Sequence, residues 1–540
     1  SHNDRRGTIP PMNYARKNLI HVGRWTLVVI LALTLSISVS KPIVLTASDM
    51  GRHLMNGILF LDHGRIATTN LYSYTYPDFP FLNHHWGGGV FFELARRVGG
   101  FVGISIFGIT LIVTTAILYL RIAWRRGTHW LTIVAGILVL PIFASRAEIR
   151  PELFSYLLSA VFLWILLGVR DRSLPAKTLS ILPALLLVWV NLHIYFFLGI
   201  GWIGAFLLDA LWRAWRDVDN RDEHVLLAKR IGMTLAACCA VTPLNPNGWR
   251  GAVYPLFIFQ NYAYAVAENQ TPIAIQRFGP YPPTFYLIIA TAVLGISWIR
   301  RLWHDRRERE LTDVAILILS LFTTYIAWKA IRNFSIFSYV SIVAISYAWS
   351  DLGDRLQRSS LYTAARFTLP SVLLVLLVAL WPSYWRSVFG TFGLGVAPNI
   401  LRSVDFFKEQ HLTGPIFNNY DIGGFLTYGL YPQERVFVDN RPEAYPGEFF
   451  TDTLLPMQMD DAEWLRVDAR YGFKTIFFYR HDATRWGQAF MIRRLQDPAW
   501  APVFVDNYSI ILVRRLPEFA DVIANYEIPK SRFDVVPRQR

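Results

Sequence analysis

Cysteine and charge are both scarce in this chain. Cys238 and Cys239 are its two thiols, adjacent and inside an apolar run, so neither a disulfide framework nor thiolate metal spacing is present. Both are expected to be small buried residues. Charged side chains fill 17% of the 540 positions against 53% hydrophobic, a balance foreign to a soluble domain of this length. Phosphate-cradling glycine loops, nucleotide fingerprints and zinc motifs are missing, and nothing points to a nucleotide-driven pump. Internal repeats and low-complexity tracts are missing too.

What the chain does have is a net charge of +14 and many apolar runs. Runs near 25–45, 101–123, 130–145, 153–169, 179–192, 196–212, 230–244, 284–300, 312–329, 334–350 and 366–382 predict about 11 membrane spans, several of them short enough to be broken or tilted. The first is about 20 residues long, which fits a retained anchor better than a cleaved signal. Alternate loops hold about 24 basic residues and the opposite set about nine. That asymmetry turns much of the net charge into a topology signal and leaves no case for nucleic acid as a partner. It predicts a cell inner (plasma) membrane protein with residues 1–24 cytoplasmic and the C-terminal region on the exterior, periplasmic side.

The expected fold class is therefore an all-α polytopic membrane domain over 25–383, with a long first exterior loop at 46–100. A small α/β exterior domain follows over 384–516, and 517–540 reads as a polar tail. Strands are expected at Pro415–Phe417, Arg435–Val438, Thr475–Tyr479 and Tyr508–Val513. In the first exterior loop, Met50 to His63 carries Leu54, Ile58 and Leu61 on one face, the pattern of a helix lying in the membrane interface and ended by Gly64.

The exterior loops collect the chemistry. Asp49 stands at the head of that helix with Arg52 and His53 about one turn on. His84 and His85 precede Trp86. Arg146 and Arg150 flank Glu148, His193 ends a span, and Lys329 and Arg332 lie one turn apart. A carboxylate suits a general base on an acceptor hydroxyl, and guanidinium forks suit a phosphate leaving group. Bland readings compete: Asp49 as a helix cap, Arg146 and Arg150 as partners of Glu148 and Glu152, the histidines as interfacial side chains, Glu93 as the partner of Arg96 or Arg97.

The pattern Asp49-x-Gly51-x-His53-Leu54-x-x-Gly57, then Tyr72-Ser73-Tyr74-Thr75 and His84-x-Trp86, resembles the first exterior loop of bacterial polytopic glycosyltransferases of the GT-C superfamily, such as protein O-mannosyltransferases and aminoarabinose transferases. Arg150-Pro151, Asn191-x-His193, Asn245-Pro246-x-Gly248, Gly423-Gly424 and Val438-Asp439-x-Arg441 extend the resemblance over most of the chain. It implies a GT-C fold and transfer of a sugar from a polyprenyl-phosphate donor to a hydroxyl of a glycan, lipid or protein. Asp49 falls at the catalytic position, with Arg146, Arg150, Lys329 and Arg332 on the donor phosphate. Arg52, His53, His84, His85, His193, Asp439 and Arg441 would line the substrate pocket. Some relatives bind a divalent cation (Mg or Mn), for which Asp49 and His85 are the candidates. Relatives often have His-Glu-Trp where this chain has His84-His85-Trp86, so a second acidic residue is missing there. A lipid-linked glycan polymerase or ligase, and a non-catalytic scaffold on a transferase-like fold, are the alternatives.

Overall fold

The computed structural model describes residues 29, 33–127, 129–146, 148–258, 264, 266–351 and 362–533. The apolar runs predicted between 101 and 382 each coincide with a helix. We number the helices used below α1 (Met50–His63), α2 (Trp86–Arg126, kinked where Gly99 and Gly100 leave helical angles), α3 (His129–Ala144), α4 (Glu152–Arg170), α5 (Ile181–Leu192), α6 (Phe197–Arg216), α7 (Arg221–Val241), α8 (Pro282–Glu308), α9 (Val314–Lys329), α10 (Phe334–Ala348), α11 (Tyr362–Leu380) and α12 (Pro382–Phe389). Among the described residues, six helices are long and apolar enough to cross a membrane, or seven if the pair Thr368–Leu380 and Pro382–Phe389, bent by 94°, is one span. Trp130–Ala144, Ala176–Leu192 and Val314–Lys329 are apolar but shorter. In the 25–45 run, residues 25–28 and 30–32 lie outside the described residues. Its helix stops at Val39, because Ile43 forms a bridge to Val396 and Leu45–Ala47 is a 3-10 turn.

Two compact units emerge. One comprises Ser1–Val39, Val113–Ala147 and Glu268–Thr391, the other Ser40–Ile112, Glu148–Ala267 and Phe392–Arg540. In the first, α3 and α10 pack together with the end of α2: Tyr119 stacks on Tyr339 at 4.8 Å and Phe143 meets the same ring at 5.2 Å. Tyr384 on α12 donates to the carbonyl of Pro141 in α3 at 2.6 Å. Such polar ties suit apolar surroundings, where an unpaired hydroxyl is costly.

In the second unit α6 packs along α7, and α4 is tied to α6 by Asp209, fully buried and paired with Arg213 at 2.8 Å and Arg170 at 3.3 Å. Cys238 is buried on α7 and Cys239 exposed, so only one thiol fits the expectation of burial; a helix turns adjacent side chains to different faces. The C-terminal sheet holds β1 (Ile416–Phe417), β2 (Thr475–Tyr479), β3 (Trp500–Val505) and β4 (Ser509–Arg514) in the order β1-β2-β4-β3; β1 runs parallel to β2 and the other pairs are antiparallel. Helices Asp461–Tyr471 and Gly487–Gln496 pack Trp464 and Phe490 around Phe417.

Two expectations are corrected here. Residues 435–438 form no strand of this sheet, since Val436 bridges Ser73 of the first loop instead. The strand at 500–505 was missed because Pro502 interrupts it. As an edge strand paired only with β4, it tolerates the missing N–H. The stretch from 517 is also less of a tail than expected: Phe519 and Val522 are buried, Ala520–Tyr526 is helical, and Ile528 N–H donates to the Pro502 carbonyl at 2.8 Å.

Helix α1 is where this unit brings its parts together. Over its first two turns neither face is open: Arg52, His53 and Asn56 are as buried as Leu54 and Met55, against the expectation of an interfacial helix with a polar side. Two glycine contacts make this possible. A Cβ on Gly51 would lie 2.3 Å from the Gly424 carbonyl oxygen, and one on Gly57 would lie 2.4 Å from that of Gly89. Only glycine admits such backbone approach.

A candidate active site around Asp49

Asp49 has helical backbone angles at the start of α1, but its side chain caps nothing. Its Oδ1 accepts a 2.6 Å hydrogen bond from Asn440 Nδ2 instead. Arg52 Nη2 lies 3.2 Å and Arg150 Nη1 3.9 Å from Oδ2, and the carboxylate side chain is 23% exposed. That geometry sets aside the helix-cap reading of Asp49, since its carboxylate bonds to Asn440 and faces two cations rather than the helix terminus. Arg150 also pairs with Glu148 at 2.7 Å. Arg52 is buried, and its Nε and Nη1 make no hydrogen bond among the described residues. The next carboxylate to it is that of Glu443, pushed up from the usual range by burial and held back by Arg52.

Four histidines bank against this group. His53 and His85 rings lie 5.4 Å apart, His84 and His85 3.9 Å, and His85 and His193 5.0 Å. Burial, and then the neighbouring cationic and imidazole groups, hold His53 and His85 well below the ordinary histidine value, so both are neutral at pH 7. Trp189 Nε1 donates to Ser155 Oγ at 2.8 Å, and Ser155 Oγ lies 2.9 Å from His193 Nδ1. The Tyr195 amide donates to the same nitrogen at 3.3 Å. His193 Nδ1 is therefore an acceptor, and the proton of the neutral ring sits on Nε2.

No family model and no curated protein sequence matches the chain. Solved structures do. An archaeal oligosaccharyltransferase, AglB from Archaeoglobus fulgidus in complex with an inhibitory peptide and a dolichol-phosphate, superposes with a TM-score of 0.56 at 13% identity, over 90% of this chain and 74% of that one. ArnT from Cupriavidus metallidurans bound to undecaprenyl phosphate gives 0.50 at 11% identity, over 94% and 99%. Both are membrane glycosyltransferases of the GT-C superfamily. The chain has the GT-C fold. As in the resemblance read from its motifs, a multi-pass helical body carries a long loop after its first apolar run.

The other predicted residues divide. Arg146, Lys329 and Arg332 belong to the first compact unit. There Arg146 donates to Glu268 at 2.9 Å, Arg332 donates to Asn269 at 3.1 Å and lies 3.8 Å from Glu268, and Lys329 sits 5.4 Å over the Tyr325 ring. Asp439 and Arg441, expected to line the pocket, have no exposed surface. They bond to each other, and the guanidinium lies between the Tyr72 and Phe81 rings at 5.0 and 4.6 Å while donating to Asn70 at 2.8 Å. In this arrangement they brace the C-terminal region against the first loop. Glu93 is likewise taken, by Arg96 at 2.7 Å and Arg97 at 2.9 Å.

The surroundings of Asp49 do not fit a divalent cation. Neither Asp49 nor His85 is in a group of three donors close enough to share an ion among the described residues. Two residues of the site were missed in the sequence. Asn440 is the unassigned position within Val438-Asp439-x-Arg441. Asp421, just before Gly423-Gly424, has its carboxyl pushed up to about 7 by burial and then by the carboxylates of Asp482 and Asp49. An acidic residue beside a glycine pair was the available signal.

Proposed function

We propose that the protein is an integral membrane glycosyltransferase that moves a sugar from a polyprenyl-phosphate donor to an acceptor hydroxyl on the exterior face. The observation that carries this reading is Asp49, an uncapping, partly exposed carboxylate with guanidinium groups at 3.2 and 3.9 Å, in a chain of GT-C fold. The acceptor oxygen attacks the anomeric carbon, and its proton passes to Asp49. The bond from that carbon to the phosphate oxygen breaks with inversion, and the electron pair leaves with the polyprenyl phosphate. Arg150 and Arg52 stabilise the charge growing on the phosphate, as preorganised donors in a site shielded from water do. His193, with its proton on Nε2, and the neutral His53 and His85 hydrogen-bond sugar hydroxyls without adding charge. The dolichol-phosphate bound in the one similar structure and the undecaprenyl phosphate bound in the other support this class of donor.

The test is turnover. Purified protein is incubated with a panel of polyprenyl-phosphate sugars and a cell-envelope extract as acceptor source. Free polyprenyl phosphate should appear with wild type and not with Asp49→Asn. Equal release by both across the panel would overturn the reading. The likeness to an oligosaccharyltransferase favours, as a second reading, transfer of a whole glycan from a lipid carrier. The mass added to the acceptor separates it from transfer of a single sugar.

A further inference from the structure

At the charged end of α8 the chain builds a second polar cluster, which shares no residue with the Asp49 site. Arg309 takes left-handed backbone angles (φ 57°), ending the helix and folding Glu310 back so that its N–H donates to the Asp305 carbonyl at 2.9 Å. This places His304, Asp305 and Glu310 so that one ligand atom from each lies within 4.8 Å of the others. His304 Nδ1 is 3.6 Å from Asp305 Oδ1 and 3.9 Å from Glu310 Oε2. Both distances are too long for a hydrogen bond, and that nitrogen, on a residue 8% exposed, makes none. Asp305 is 2% exposed and neither of its oxygens accepts a hydrogen bond; the Arg301 Nε lies 2.7 Å from Oδ1 at an angle too bent for one.

We propose that His304, Asp305 and Glu310 form a binding site for a zinc-class divalent cation. Bonds of about 2.0–2.2 Å to one ion set its ligands about 3.3–4 Å apart, and His304 Nδ1 stands at that spacing from both carboxylates. The far side of the imidazole supports the assignment: His304 Nε2 lies 3.4 Å from Asp351 Oδ2, and Asp351 Oδ1 accepts from Arg300 at 3.0 Å. A carboxylate behind a ligating imidazole fixes its ring and tautomer. Arg301 spans the two carboxylates, 2.7 Å from Asp305 Oδ1 and 2.8 Å from Glu310 Oε2, and would yield these contacts to the ion. Three carboxylates against two guanidinium groups leave net negative charge for the ion to neutralise. One imidazole and two carboxylates leave a fourth tetrahedral position for water.

The test titrates zinc into the full-length protein after chelator treatment, reading bound metal by elemental mass spectrometry and the thermal midpoint in detergent. Wild type should take up one equivalent of zinc that Glu310→Gln and His304→Gln lack or bind at least tenfold more weakly, and zinc should raise the midpoint of wild type alone. Glu310 is half exposed, so its variant should keep the fold, with circular dichroism as the check. The histidines near Asp49 are the rival source of bound zinc, and His85→Gln should keep the equivalent. Loss of it in His85→Gln, or equal uptake by wild type and Glu310→Gln, or no uptake by wild type, would overturn the proposal and leave an ion-pair latch.

Discussion

Replacing Asp49 by asparagine removes the charge and the basicity while nearly preserving shape. The local hydrogen bonding can survive the change. Asn440 now donates to Asp49 Oδ1, and its own buried Oδ1 makes no hydrogen bond. An amide turn at Asn440 lets that oxygen accept from an asparagine at 49. The cost falls on Arg52, which loses its carboxylate at 3.2 Å but keeps Glu443 nearby. Breaking a fully buried pair costs about 3–5 kcal/mol. With Asp49 open to solvent on one side and Glu443 remaining, about 1–2 kcal/mol of stability should be lost here. Catalysis should suffer more. A positioned general base contributes about 10²–10⁴-fold, or about 3–5 kcal/mol of barrier. Release of polyprenyl phosphate at saturating donor, measured beside the thermal midpoint in detergent, separates the two effects. A midpoint within a few degrees of wild type and turnover within threefold of it would refute the role given to Asp49.

Other outcomes follow from the same geometry. Gly51→Ala puts a Cβ 2.3 Å from the Gly424 carbonyl oxygen, and overpacking of this kind costs about 1–3 kcal/mol, so the thermal midpoint and turnover should fall together. Arg441→Lys cannot keep both the forked bond to Asp439 and the contact between Tyr72 and Phe81. It should destabilise by about 3 kcal/mol in chemical denaturation, the scale for breaking a buried pair. Asp421, raised from 3.8 to about 7, holds a proton in the folded state that the unfolded chain has already released between those values. Stability from this group is therefore full below pH 4 and falls as pH rises to about 7. Asp421→Asn should remove that fall, gaining on the order of 4 kcal/mol over wild type at pH 8 and nothing at pH 4, read from unfolding at both. Arg150→Ala should raise the donor KM at least tenfold with little change in the thermal midpoint; an unchanged KM would take Arg150 off the phosphate.

The helices were legible because apolar runs of span length leave few alternatives in a chain with so little charge. The end of the first run was not, since Ile43 is as apolar as its neighbours and is drawn off by a bridge to Val396. The C-terminal sheet was half legible. Arg435–Val438 has strand composition, yet its partner is Ser73, more than 350 positions earlier, and composition carries no pairing information. Asp49 stood out through its position after an apolar run, but only coordinates distinguish a cap from a carboxylate bonded to Asn440. The same distance in sequence hid Asn440 and Asp421. Asp439 and Arg441 stood out as a motif and were read as pocket residues; full burial and the Tyr72–Phe81 sandwich make them a brace.

The proposed function sets Asp49, Arg52 and Arg150 against a lipid-phosphate donor. Mass spectrometry of the lipid retained by the detergent-purified protein tests it most directly. A polyprenyl phosphate, with or without its sugar, should be bound at one per chain by wild type and depleted at least fivefold in Arg52→Ala/Arg150→Ala. Only bulk phospholipid on wild type, unchanged after incubation with excess undecaprenyl phosphate, would contradict it.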